Sequence, residues 1–224
     1  MTEQQAREAL VEFGRSLFLR GYSCGTSGNL SVRLPGDGGF LMSPTNISLG
    51  RLDAGTISRL AADGTHVDGA APTKEAWLHL AMYAARPQDH AVVHLHSTHA
   101  AALSCRSDLT PDDALPPLTP YVIMRVGRVA LVPYSRPGDT TPAEAIRQLA
   151  AAHRAVLLAN HGPVVAGRDL ETAVSAAEEL EETARLFFLL EGRPHRRLTP
   201  EQIEDVLRVF GTREPRVGPG DHRV

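Results

Sequence analysis

Ala91-Val92-Val93-His94-Leu95-His96 sets an apolar run directly before two histidines one residue apart, and the reading of this stretch decides the fold. Consecutive small or β-branched apolar residues describe a strand buried on both faces. Side chains alternate along a strand, so His94 and His96 are expected to project together while Leu95 turns into apolar packing on the other side. Ala155-Val156-Leu157-Leu158-Ala159 leads into Asn160-His161-Gly162 in the same manner, so a second strand is expected to end in a histidine. Gly162 allows close backbone approach there. A histidine pair at a strand end also arises as ordinary polar sequence. With a third imidazole the set has three nitrogens and an open position, which describes a catalytic metal site better than a closed structural one.

Outward from these strands, helices and strands intermix. Thr2 and Gln5 form a capping-box pattern, followed by Ala6, Leu10, Phe13 and Leu17 at helical spacing up to Gly21. The loop Gly25-Thr26-Ser27-Gly28 opens a hairpin, with strands expected from Asn29 to Leu34 and from Phe40 to Met42. Ala62-Asp63-Gly64 separates two further short strands. A helix is expected from Thr73, its cap, to Pro87, with Glu75 in the first turn. Others should run from Pro142, capped by Thr141, to His153, from Asp169 to Leu190, and from Pro200 to Phe210. The order is mixed rather than strictly alternating, which gives a mixed α/β class without internal repeats. Residues 1 to 211 read as one domain, and Thr212 to Val224, rich in Pro, Gly and Arg, as a mobile tail.

A chain of 224 residues with 42% hydrophobic content is long enough to bury one core. Its 23 basic and 26 acidic residues nearly cancel, so there is no broad basic surface for nucleic acid. The polar start at Met1 to Gln5 and the lack of a long apolar run argue against a membrane and for the cytoplasm. Cys24 and Cys105 are too few for a disulfide framework and are expected to be small buried residues.

Two segments suit an anion. Gly25-Thr26-Ser27-Gly28-Asn29 offers N–H, hydroxyl and amide groups, although turn residues ahead of a strand have the same composition. Pro72-Thr73-Lys74-Glu75 puts a hydroxyl, a cation and a carboxylate at a helix start. Lys74 is the odd member, because the positive end of a helix disfavours a cation; it points to a bound anion, or else to a solvated surface lysine. His99 is expected either behind the metal site or simply as a helix-start residue.

Taken together, Gly25 to Ser31, Ser43-Pro44-Thr45-Asn46-Ile47, Pro72 to Glu75, Ala91 to His96 and Asn160-His161-Gly162 resemble, in order and interval, the class II aldolase/adducin family. That family contains fuculose-phosphate aldolase and ribulose-phosphate 4-epimerase. The resemblance covers residues 6 to 190 and implies a single-domain α/β/α layered fold with a mostly antiparallel central sheet. It implies a divalent metal, Zn2+ first, with Mn2+, Co2+ or Fe2+ as substitutes, held by His94, His96 and His161. Glu75 is then the acid/base and an exchangeable ligand. Phosphate falls to Gly28, Asn29, Thr45, Asn46, Thr73 and Lys74. Tyr121 resembles a tyrosine used for proton transfer near a subunit boundary, and a homotetramer with active sites between subunits follows.

Two departures from the aldolase pattern matter. Asn46 stands where aldolases carry glycine, and asparagine tolerates left-handed backbone better than most residues. Thr73 and Lys74 stand where aldolases have two serines. With Lys74, Pro120-Tyr121, Met124 to Arg128 and Asn160 to Pro163, the chain most resembles the 3-oxo-tetronate 4-phosphate decarboxylase branch. This implies loss of carbon dioxide through a metal-stabilised enediolate, with Glu75 delivering a proton to give dihydroxyacetone phosphate. A sugar-phosphate aldolase reaches the same enediolate and is the alternative. A dehydratase of the family stays open, and a non-catalytic assembly domain like the adducin head is the alternative of another class.

Overall fold

The computed structural model describes residues 1–36, 38–136 and 139–210, and its elements begin where local chemistry starts them. In chain order they are α1 (Glu3–Leu19), β1 (Asn29–Arg33), β2 (Phe40–Met42), a 3-10 turn (Leu49–Arg51), β3 (Ser58–Leu60) and β4 (His66–Asp68). There follow α2 (Ala76–Ala85), β5 (Ala91–His94), α3 (Thr98–Ser104), α4 (Pro120–Arg125), β6 (Val129–Val132), α5 (Ala143–Ala150), β7 (Ala155–Leu158), β8 (Gly162–Gly167), α6 (Leu170–Leu190) and α7 (Pro200–Phe210). The capping box of α1 is formed: Gln5 N donates to Thr2 Oγ1 at 3.2 Å and Thr2 N donates to Gln5 Oε1 at 2.8 Å. Asp169 caps α6 by accepting from Thr172 N at 2.7 Å. None of the helices among the described residues is long and apolar enough to cross a membrane.

The strands form one 8-stranded sheet in the order β4-β3-β2-β1-β5-β8-β7-β6. All pairs are antiparallel except β6 with β7, which α5 connects as a crossover. Alternation along the inner strands divides the core. Leu30, Val93, Leu157 and Val165 pack with α1, α3, α4 and α6, whereas Met42, Val92, Val156 and Val164 pack with α2 and α5. Helices therefore cover both faces, and the fold is a three-layered α/β/α domain with a mostly antiparallel sheet. By the same alternation His94 belongs to the face that α2 covers.

Several boundaries differ from the sequence expectations. β6 and β8 were not anticipated; proline removes a ladder donor inside a strand, yet Pro163 fits because β5 has already ended opposite Val164. α2 starts at Ala76 rather than Thr73. Thr73 N is engaged with Ser43 O at 3.2 Å and Thr45 N with Ala71 O at 2.9 Å, which holds this segment extended until a turn from Thr73 to Ala76. Thr141 does not cap α5, whose first turn is entered through Pro142. Cys24 and Cys105 are free and exposed rather than buried, because one lies in the loop before β1 and the other at the C-terminal end of α3. The tail expected from Thr212 lies outside the described residues.

Candidate metal centre and active site

His94 is the last residue of β5 and wholly buried. Its Nδ1 lies 2.9 Å from the Pro163 carbonyl, an acceptor only, so Nδ1 carries the proton and the Nε2 lone pair faces the cluster. His96 is not on the strand, as expected, but two residues beyond it. On the β1 side the ladder stops at His94, opposite Asn29, because Gly28 leaves β1 in a left-handed turn (φ 78°); on the other side its last rung joins His94 to Val164. Nor does His161 end a strand; it occupies the turn between β7 and β8, with its N–H donated to Ser104 Oγ at 3.0 Å. The close approach expected at Gly162 is present, since a Cβ there would stand 2.3 Å from the Leu95 carbonyl oxygen.

These elements bring four residues together. His96 Nε2 lies 3.0 Å from the Nε2 atoms of both His94 and His161. Glu75, immediately ahead of α2, sets Oε2 at 3.4 Å from His94 Nε2 and Oε1 at 3.2 Å from His161 Nε2. The four ligand atoms lie within 4.8 Å of one another. Burial pushes the His96 imidazole down to about 4, with His94 and His161 acting the same way. Burial alone would raise the Glu75 carboxyl, but its contacts with His161 and His94 and the hydrogen bond from Asn29 outweigh that and hold it well below the carboxylate range. Lone pairs facing one another at such distances need a cation between them. Zinc bonds of about 2.0–2.1 Å to a tetrahedral donor set make ligand–ligand edges of roughly 3.3 Å. Four of the separations, 3.0 to 3.4 Å and shared between the two Glu75 oxygens, bracket that length, so three imidazole nitrogens and the Glu75 carboxylate fit a small divalent ion.

The segments expected to hold phosphate meet beside this cluster. Leu30 N donates to Ser43 Oγ at 3.1 Å, and an isolated bridge joins Pro44 to Pro72, which laces the Thr45-Asn46 and Thr73-Lys74 loops together next to β1. Asn46 takes the left-handed conformation its position demands, with φ 59°. Thr73 Oγ1 accepts from Glu75 N at 3.2 Å. Lys74 is exposed, and no ion pair joins it to another described residue. Both ends of the Asn29 amide are engaged within the protein: it is buried, its Nδ2 donates to Glu75 Oε2 at 2.7 Å, and its Oδ1 accepts from His79 Nε2.

Tyr121 lies on α4, 55% exposed, with the Arg125 guanidinium 5.4 Å from its ring centroid. Among the described residues it makes no hydrogen bond to the cluster. His99 is a helix-start residue: its Nδ1 contacts Glu181 Oε1 at 2.8 Å, and Glu181 also accepts from the N–H groups of His99 and Ala100. Sequence reasoning missed the buried partners beneath Glu75, namely His79, Ser31 and Tyr83. Their signal was the repeat Glu75, His79, Tyr83 at four-residue intervals facing Asn29 and Ser31 two apart.

Residues 8–188 match the family described as Class II Aldolase and Adducin N-terminal domain. The chain belongs to this family. It is 50% identical over 204 residues to the 3-oxo-tetronate 4-phosphate decarboxylase of Escherichia coli, covering 91% of this chain and 96% of that protein. The crystal structure of YgbL from Klebsiella pneumoniae superimposes with a TM-score of 0.90 at 50% identity, covering 92% of this chain and 99% of that one. Identity falls to 29% against the L-fuculose phosphate aldolase of Haemophilus influenzae, over 95% of this chain and 96% of that enzyme.

Proposed function

We propose that the chain is a metal-dependent carboxy-lyase that converts a 3-oxo-tetronate 4-phosphate into dihydroxyacetone phosphate and carbon dioxide. The observation that carries this reading is the Glu75, His94, His96 and His161 cluster, set in a chain half identical to a protein named for that activity. A divalent ion held there, zinc before manganese, cobalt or iron, supplies Lewis-acid stabilisation for charge developing on the substrate oxygens. In such a substrate the ketone at the third carbon is β to the carboxylate. Breaking the bond between the first and second carbons releases carbon dioxide and leaves its electron pair as an enediolate over the second and third. Glu75, an anion at rest, takes a proton from water on the open side of the cluster and delivers it to the second carbon.

The exposed ammonium of Lys74 suits the 4-phosphate or the departing carboxylate, since charge-assisted contacts are stronger than neutral ones. Gly28, Thr45, Asn46 and Thr73 complete the phosphate site in this reading, supported by the lacing of their loops beside Glu75. A homotetramer with active sites between subunits belongs to the same reading. The exposure of Tyr121 supports its service to a neighbouring subunit's site. Two exposed, unpaired cysteines support a reducing, cytoplasmic setting.

The deciding experiment supplies synthetic 3-oxo-tetronate 4-phosphates to the metal-loaded protein and follows carbon dioxide and dihydroxyacetone phosphate. Equimolar release of both is expected. Cleavage of a ketose 1-phosphate to an aldehyde, without carbon dioxide from any sugar-acid phosphate, would move the chain to the aldolases. Inertness on both substrates with no bound metal would favour an assembly domain.

A further inference from the structure

The α2-facing side of β1 and one stripe along α2 advance nearly in step. Four helical residues rise about 6 Å and two strand residues about 6.8 Å. Glu75, His79 and Tyr83 therefore meet Asn29 and Ser31 one after another. The Tyr83 hydroxyl lies 2.8 Å from Ser31 Oγ, and Ser31 Oγ lies 2.7 Å from His79 Nδ1. His79 Nε2 contacts Asn29 Oδ1, and Asn29 Nδ2 lies 2.7 Å from Glu75 Oε2. Asn29, Ser31, His79 and Tyr83 are all buried, with Ser31 and His79 wholly so. The chain begins in the core and ends on the carboxylate.

Its polarity follows from the donors available. A carboxylate only accepts, so the NH2 of Asn29 faces Glu75 and its oxygen faces His79. His79 Nε2 must therefore carry a proton. Burial keeps the His79 imidazole neutral, pushing it down to about 3, with His94 adding to the effect, so Nδ1 is left as an acceptor. Ser31 must donate to it, and Tyr83 to Ser31. Every hydrogen bond in the series thus points the same way, toward Glu75 Oε2. An amide passes no proton, so the series orients the carboxylate and does not conduct to it.

We propose that His79 is a positioning residue for this reaction: through Asn29 it fixes Glu75 Oε2 and turns Oε1 toward His161, on the more exposed side of the cluster. The inference rests on the reading of Glu75 as the proton-transferring group. The test compares His79→Leu, which removes the donor, with His79→Gln, whose amide nitrogen reaches the Nε2 position, both in the full metal-loaded protein. His79→Leu should lower kcat about tenfold to a hundredfold with KM and metal content unchanged, as loss of a group behind a metal site does. His79→Gln should restore most of the rate. In the cobalt-loaded protein, His79→Leu should alter the visible spectrum and His79→Gln should not. A fully active, spectrally unchanged His79→Leu would overturn the proposal, and so would a loss that His79→Gln does not repair. Should His79→Leu not fold, 15N NMR of the parent's His79 ring decides: a proton on Nε2 is expected, and one on Nδ1 refutes it. A parent that releases no carbon dioxide sinks the proposed reaction, while the ring tautomer and cobalt spectra still decide the positioning role.

Discussion

Glu75 and Lys74 are adjacent in sequence and face different environments. The Glu75 carboxylate is tied into the histidine cluster and to Asn29, whereas Lys74 stands in solvent. Glu75→Gln keeps the shape of the side chain and its contact with Asn29 but cannot exchange a proton. Turnover should fall on the order of a hundredfold or more with metal retained, as steady-state kinetics beside metal analysis will record. Activity within a few-fold of the parent removes Glu75 from proton transfer. Lys74→Ser, the aldolase-like replacement, should weaken turnover of sugar-acid phosphates while leaving metal content and thermal stability alone. Lys74 is also the sole lysine of the chain, so amine acylation reports on it and the N-terminus only, and inorganic phosphate should protect it. A silent substitution, without protection, returns Lys74 to the solvated surface.

At the scale of elements, the site depends on a turn seated against a strand end. The β7–β8 turn carries Asn160 at φ 56°, donates Asn160 N to Ser104 O at 3.0 Å, and presses Gly162 onto the Leu95 backbone. A methyl group at position 162 would meet a carbonyl oxygen and the His96 Cα rather than a yielding side chain. Gly162→Ala should therefore cost about 1–3 kcal/mol in denaturant unfolding, as overpacking does. More tellingly, it should weaken metal binding by moving His161 away from His96. Parent-like metal affinity in a folded Gly162→Ala protein would separate the turn from the site.

Across the whole molecule, the cluster joins the start of α2, the end of β5 and the β7–β8 turn, segments far apart in sequence. An ion bound there requires the folded chain and so stabilises it by mass action. Chelation should lower Tm and abolish turnover together, and restored ion at a hundredfold excess over Kd should return about 2.7 kcal/mol. Full activity in demonstrably metal-free protein contradicts the assignment. Acid adds a second dependence. His79 in the fold takes a proton only near pH 3, while in the unfolded chain it does so near its ordinary value of 6.5. Between those values the unfolded state binds more protons, so stability falls as pH drops below about 6.5, by about 2 kcal/mol at pH 5 from this residue alone. Denaturant titrations of the parent and His79→Gln at pH 7.5 and 5 should show the variant with the smaller loss. Equal slopes would mean that His79 does not titrate in this way.

The four-residue cluster was legible in the sequence because its members follow strong local signals: an apolar strand before His94, another before His161, and a helix start at Glu75. The caps of α1 and α6 and the left-handed turn at Asn46 were legible for the same reason, since each is decided by side chains within a few residues. Tertiary structure alone decided the rest. Pro163 counts against a strand until β7 pairs with it on one side and β5 has ended on the other, and the Asn29 amide finds its partners only when α2 brings His79 and Glu75 to its two ends. Local propensity ranks what a residue can do, but long-range contacts decide which hydrogen-bond partner it finds. The helix–strand register that aims Glu75 is therefore visible only once α2 lies across the sheet.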